Sequence, residues 1–186
     1  MTATDMDVVD VLTADHRDVT GLIGEIRAAG DATVRRDVTD MMISELVRHA
    51  VAEEMYVYPA MRKHLPDGEK AVQHDVEEHK EIEQTLKRLE SADVSTAEFT
   101  RDLDKLEELL ADHVQDEEND QFPRLRAHVS REKLVQMREQ VDRAKKLAPT
   151  RPHPAAPNSE VFHKLVGPGV GLMDRVRDRL TGRTTA

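Results

Sequence analysis

The chain contains no cysteine and no tryptophan, and only three phenylalanines and two tyrosines among its 186 residues. Without cysteine there is no disulfide, no thiolate metal site and no thiol catalysis, which fits a reducing interior. A metal would have to rest on imidazole, carboxylate or phenolate. With aromatics scarce, the core falls to Leu, Val, Ile and Met at helical spacing. No stretch approaches the ~18 uninterrupted apolar residues of a membrane span. The opening Met1-Thr2-Ala3-Thr4-Asp5 also lacks the basic flank and apolar run of a signal peptide. The expectation is a cytoplasmic protein with no membrane span. Positive charge is in deficit as well: 27 basic residues face 37 acidic ones, a net charge of -10. Such a surface repels phosphate backbones, so no nucleic acid is expected as a partner.

What the chain does have is helical periodicity. Apolar residues recur at alternating steps of three and four in four segments, and none reads as a strand. The first stripe is Val9, Leu12, His16, Val19, Ile23 and Ile26, stopping at Gly30-Asp31. The second is Met42, Leu46, His49, Glu53, Tyr56 and Ala60, stopping before Leu65-Pro66-Asp67-Gly68. The third is Val72, Asp75, His79, Ile82, Leu86 and Leu89. Ser95, with Glu98 three residues on, reads as a capping box for the fourth, which carries Phe99, Leu103, Leu106, Leu110, His113, Glu117 and Asp120.

A weaker helix is expected over about residues 131–146, followed by the proline-rich run 149–157, which reads as an extended linker. The tail comes last, Val161–Val166 and then an Arg-bearing amphipathic stretch over Leu172–Leu180, and its pattern leaves packing on the bundle, binding to a partner and disorder all open. The fold class is therefore all-α: an antiparallel up-down four-helix bundle of two similar helical hairpins, with an extra C-terminal helix and tail. The expected divisions are a bundle over 1–128, the additional helix over 129–147, and linker plus tail over 148–186.

In an antiparallel hairpin, residues equidistant from the turn lie at one height. The midpoint of His16 and His49 falls between Ala32 and Thr33, that of His49 and His79 on His64, and that of His79 and His113 on Thr96. All three midpoints lie in or beside the turns, so four imidazoles share one layer of the bundle, each replacing an apolar residue. Unpaired polar groups there cost about 1 to 3 kcal/mol apiece, which a metal would offset. Two copies of His-x-x-x-Glu, His49 with Glu53 and His113 with Glu117, bring carboxylates to the same level, since four residues of helix advance about 6 Å and turn about 40°. Four histidines and two carboxylates exceed the needs of one ion and suit two ions bridged by the carboxylates.

The spacing belongs to a longer duplication: residues 49–62 match 113–126, including Glu53-Glu54 with Glu117-Glu118 and Pro59 with Pro123. Asp15-His16 matches Glu78-His79 more loosely. A lone His, a His-x-x-x-Glu, another lone His and a second His-x-x-x-Glu resemble the pattern of hemerythrin-like, or HHE cation-binding, domains. The resemblance spans roughly 8–128. It implies two iron ions, oxo- or hydroxo-bridged, with His16, His49, His79 and His113 as terminal ligands and Glu53 and Glu117 as bridges.

The chain departs from the oxygen carriers of that family, whose third helix has His-x-x-x-His. Here Asp75 and Glu83 flank His79 at four residues, so one iron is poorer in imidazole. Reversible oxygen carriage is thereby disfavoured against peroxide or nitric oxide chemistry, or sensing. The partners expected are a small diatomic or peroxide ligand and, for the tail, another protein. A ferritin-like oxidase would need Glu-x-x-His pairs, and no Glu stands three before His49, His79 or His113.

The imidazole-poor iron leaves a donor position open. Tyr56, three residues beyond Glu53 on the same stripe, is the candidate to ligate or hydrogen-bond it. Asp75 and Glu83 are expected to be solvated, and Glu54 and Glu118 to be either solvated or behind the ligands. His64 and His128, about 22 Å along their helices from the motif histidines, lie out of reach. His74, His153 and His163 are expected to be structural or exposed.

Overall fold

A computed structural model describes the backbone of residues 6–155, 167–183 and 185, and the side chains of all of these except 167, 168 and 176. Helix α1, Val8–Ala28, opens on Asp7, whose carboxylate accepts from Asp10 N while Asp10 accepts from Asp7 N. This reciprocal pair satisfies two otherwise orphaned donors. Asp31 then caps α2, Ala32–Ala52, by accepting from Thr33 N and Val34 N. After a π-helical turn at Glu53–Val57 the helix continues as α3, Tyr58–His64.

Helix α4, Gly68–Ser91, follows a tight turn in which a Cβ at Gly68 would overlap the carbonyl of Met61. Helix α5, Ala97–Asp116, passes through a second π turn, Glu117–Gln121, into α6, Phe122–His128. The α5 cap is Thr96, which accepts from Phe99 N at 3.2 Å, and not Ser95, whose amide and hydroxyl are held by Asp93.

Hairpins α1–α2 and α4–α5 pack side by side, through α2 on α4 and α1 on α5, as an all-helical bundle with no strand among the described residues. Helix α7, Arg131–Leu147, lies against α1 and α2. The apolar interior falls into two clusters. One contains Val8, Leu12, Val57, Met61, Phe122, Leu125 and the inner face of α7; the other contains Ile23, Met42, Ile43, Leu86, Phe99 and Leu106. Each such side chain contributes about 1.5–3 kcal/mol on leaving water. The histidines lie between the clusters, since α1 enters one before His16 and the other after it.

The π turns change which residues face inward. Pro59 and Pro123 have no N–H, and just before them the amides of Tyr58 and Phe122 reach back five residues, to the carbonyls of Glu53 and Glu117. Each turn thus takes up one extra residue and advances the buried face by one. Val57, Tyr58 and Met61 are buried where unbroken periodicity predicts Tyr56 and Ala60, and Gln121 is buried where it predicts Asp120, which is exposed.

The C-terminal segment packs on the bundle, with its polar side inward. Helix α8, Gly167–Thr181, buries Gly171, Asp174 and Asp178 and exposes Leu172, Met173 and Leu180. Asp174 accepts from the amides of Thr150 and Arg151, and Asp178 from the Thr150 hydroxyl. Arg151 pairs with Asp178 at 2.6 Å and with Glu90 of α4 at 2.7 Å. The apolar stretch Val161–Val166 and His163 lie outside the described residues.

Candidate metal centre

His16 on α1, His49 on α2, His79 on α4 and His113 on α5 are all buried and turn Nε2 toward one another. The Nε2 atoms of His16 and His49 are 3.2 Å apart, and those of His79 and His113 are 3.3 Å apart. Every Nδ1 meets a carboxylate: Glu118 at 2.8 Å from His16, Asp15 at 3.2 Å from His49, Glu54 at 3.0 Å from His79 and Glu78 at 2.9 Å from His113. Such a bond fixes the proton on Nδ1 and leaves the Nε2 lone pair aimed at the interior, the arrangement of a metal-ligating imidazole.

Glu53 and Glu117 are fully buried where the π turns begin. Glu53 places Oε1 3.2 Å from His49 Nε2 and Oε2 3.5 Å from His79 Nε2. Oε2 of Glu117 lies 3.3 Å from His16 Nε2 and 3.6 Å from His113 Nε2. Each carboxylate therefore spans both hairpins. Apart from these imidazole contacts, none of the four carboxylate oxygens meets a hydrogen-bond donor. Buried charge left in that condition is strongly unfavourable, and a cation is what such a donor set accommodates. Ligand atoms of His16, His49, Glu53 and Glu117 all lie within 4.8 Å of one another, as do those of Glu53, His79 and His113.

Without a cation the centre holds protons. Burial opposes charge on the rings, yet Glu53 and Asp15 outweigh it and push His49 up to about 10. His79 is held well above its usual value against the same burial by Glu53 and Glu54, and His113 is raised by Glu117 and Glu78. Burial by itself would raise Glu53, but His49 and His79 hold it well below the carboxylate range. Metal uptake then has to displace protons.

The phenol at the centre belongs to Tyr58 and not to Tyr56. Its hydroxyl is 3.0 Å from His79 Nε2, and its ring lies tilted 5.4 Å from the imidazole. Tyr56 is half-buried against the first apolar cluster, because the π turn moves the inward position past it. In the other half, Phe122 stacks on His16. Asp75 is also placed differently from expectation: it is fully buried and accepts from Gln121 Nε2 at 2.8 Å. Burial, only partly offset by that bond, raises its carboxyl to about 7. Glu83 is half-buried and accepts from the amide of His153. Sequence reasoning missed Tyr58, Gln121 and the supporting roles of Asp15 and Glu78. The duplication did carry a signal for the last two, since an acid immediately precedes both lone histidines.

A model of the hemerythrin HHE cation-binding domain matches residues 7–125. The chain belongs to the hemerythrin HHE family. This HHE protein is 32% identical over 174 residues to an uncharacterized hemerythrin-like protein of Schizosaccharomyces pombe, covering 93% of this chain and 86% of the relative. It is 29% identical over 132 residues to a DNA nickase of Nostoc sp., covering 71% of this chain and only 37% of that longer protein. Among solved structures, an HHE cation-binding domain-containing protein from Mycobacterium kansasii superposes with a TM-score of 0.67 at 19% identity. The match takes in 91% of this chain and 99% of that one, and it bears on the fold.

Proposed function

We propose that this HHE protein is a non-haem di-iron protein that binds or processes hydrogen peroxide, dioxygen or nitric oxide. His16 and His49 would serve one ion, His79 and His113 the other, with Glu53 and Glu117 reaching both. Iron on imidazole and carboxylate supplies redox chemistry toward small oxygen and nitrogen species. The protein's own part is to orient the four Nε2 lone pairs through the Nδ1 bonds, to exclude bulk water, and to set the Tyr58 hydroxyl beside one position.

The observation that carries the size class of the ligand is a cavity of about 20 Å³ bounded by all four histidines with Val19, Leu46, Ile82 and Leu110. That is space for one water-sized molecule between the four imidazoles. A larger cavity of about 580 Å³ between α2, α4 and residues 149–155 reaches Glu54 and His79, which supports access from that face.

The test is metal analysis of aerobically purified full chain, with hydrogen peroxide consumption by iron-loaded and metal-free protein. Two irons per chain and consumption by the loaded form alone are expected. Equal rates would favour a second reading, a sensor or adaptor acting through its tail. That reading draws on the same cavity, because residues 149–155 wall it and also hold α8. A chain ending at Leu147 separates the two: activity that survives truncation leaves the tail a role in docking.

A further inference from the structure

The duplication that builds the centre is broken along one side. Where the second hairpin has His74, Asp75, Glu78, Asp116 and Gln121, the first has Val11, Leu12, Asp15, Ala52 and Val57. Leu12, Ala52 and Val57 are wholly buried members of an apolar cluster. At these positions the first half is apolar except for Asp15, whereas the second half carries polar groups from the surface to the histidine layer.

The outermost group is exposed. His74 Nε2 lies 3.3 Å from Glu78 Oε1 and 3.4 Å from Asp116 Oδ2, with His74 and Asp116 about half open to solvent. Ligand atoms of these three residues lie within 4.8 Å of one another, and so do those of Asp75, Glu78 and His113 one step inward. Glu78 belongs to both groups, and His113 belongs to the centre, so the three sites overlap in sequence. Asp75 is fully buried, yet its Oδ2 has no hydrogen-bond partner, and neither has Oε1 of the buried Gln121 that it bonds. Exposed acid–histidine pairs are common on helix surfaces. Two orphaned oxygens buried directly beneath one are not, and they point to a ligand with positive charge.

Above them lies a recess of about 770 Å³ with Gln121 in its lining. Its acidic groups Asp67, Glu77, Asp116 and Asp120 outnumber Lys70 and Arg124, and Arg124 is itself paired with Asp67 and Asp120. A cleft lined mainly by one sign of charge concentrates ions of the other.

We propose that this side of the bundle is a cation route: His74, Glu78 and Asp116 form an outer site for a divalent cation such as Fe(II), and Asp75 with Gln121 relays it to the centre. The proposal rests on the reading of the histidine layer as a metal centre. One imidazole and two carboxylates at an exposed position bind a borderline divalent ion weakly and exchange it readily, as transit requires. The oxygens of Asp75 and Gln121 then replace water ligands at the buried step.

The experiment uses metal-free full chain and follows the filling of the centre by Co(II) through its visible absorption, with stoichiometry from metal analysis. His74→Ala/Asp116→Asn removes the outer site at exposed positions. Gln121→Val removes the relay by installing the residue that the duplicate already has at Val57. Both variants should still reach two ions per chain but fill about tenfold more slowly, the low end of what a field-focusing cleft adds to an on-rate. Wild type should also take a weaker third Co(II) that the double variant lacks. Unchanged filling rates with two ions bound would overturn the route while leaving the centre intact. A wild-type chain that never holds two ions would overturn the centre and the route together.

Discussion

Tyr58 and Phe122 hold equivalent places in the two halves of the duplication, yet only Tyr58 carries a hydroxyl, 3.0 Å from Nε2 of His79, whereas Phe122 stacks on His16 with ring centroids 5.9 Å apart. The two expected ion positions are therefore chemically unequal, although the helices around them are nearly symmetric. In the metal-free chain the phenol stays neutral, because burial and then the nearby Glu53 and Glu117 push its pKa well up.

Tyr58→Phe should keep two ions per chain and lower stability by about 1 kcal/mol, the usual worth of a buried hydrogen bond. Its effect should appear in the visible spectrum of the iron-loaded protein, since phenolate on ferric iron gives a charge-transfer band. Tyr56→Phe should leave that spectrum as it is. If the spectra of both variants match wild type, Tyr58 is a packing residue and no more.

Glu53→Ala or Glu117→Ala should abolish binding of the pair of ions and not merely halve it, because each carboxylate lies against an imidazole of both hairpins. Iron added to wild type should raise the melting temperature, as a ligand specific to the folded state must. For either variant the curves with and without iron should coincide. A variant that still binds two ions and still gains stability would remove that carboxylate from the centre.

The proton load of the empty centre gives a pH dependence with a definite sign. His49, raised to about 10, and His79, held well above its usual value, are charged at neutral pH in the metal-free chain, and His113 is raised in the same direction. Their pairing with Glu53, Asp15 and the other acids stabilises the metal-free fold fully below pH 6.5. That contribution is lost as pH rises through about 10, where His49 discharges. Metal affinity should run the other way, strengthening from pH 6 to 9 as fewer protons need displacing. Calorimetry in buffers of differing ionisation enthalpy should register proton release on metal binding at pH 7, and finding none would contradict the pairing described.

The layer of His16, His49, His79 and His113 was legible in the sequence because residue type, spacing and turn position agreed independently. The meeting of Glu53 and Glu117 with it followed from one helical turn. What failed was everything just beyond those glutamates. Pro59 and Pro123 announce a local disturbance, but a proline alone does not say whether the helix bends, stops or takes up an extra residue. The π turns did the last, so Tyr58 and Gln121 replaced Tyr56 and Asp120 on the inner face. Asp75 was illegible for another reason: in a chain with 37 acidic residues, a solvated carboxylate is the default. The tail could not be placed from its sequence, since α8 docks by Asp174 and Asp178, whose partners Thr150 and Arg151 lie more than 20 residues away in sequence.

The division of the interior into two apolar clusters has a consequence for how the chain comes apart. Each of the four long helical segments runs through both clusters, but side chains of one cluster do not pack on those of the other across the histidine layer. In the metal-free protein the two ends are then coupled mainly through helix backbone and the protonated layer between them, and each can open with its own free energy. Ions held at the layer would cross-link all four helices at the level where hydrophobic contact is interrupted. Metal would thus determine whether the bundle melts as one cooperative unit or as two.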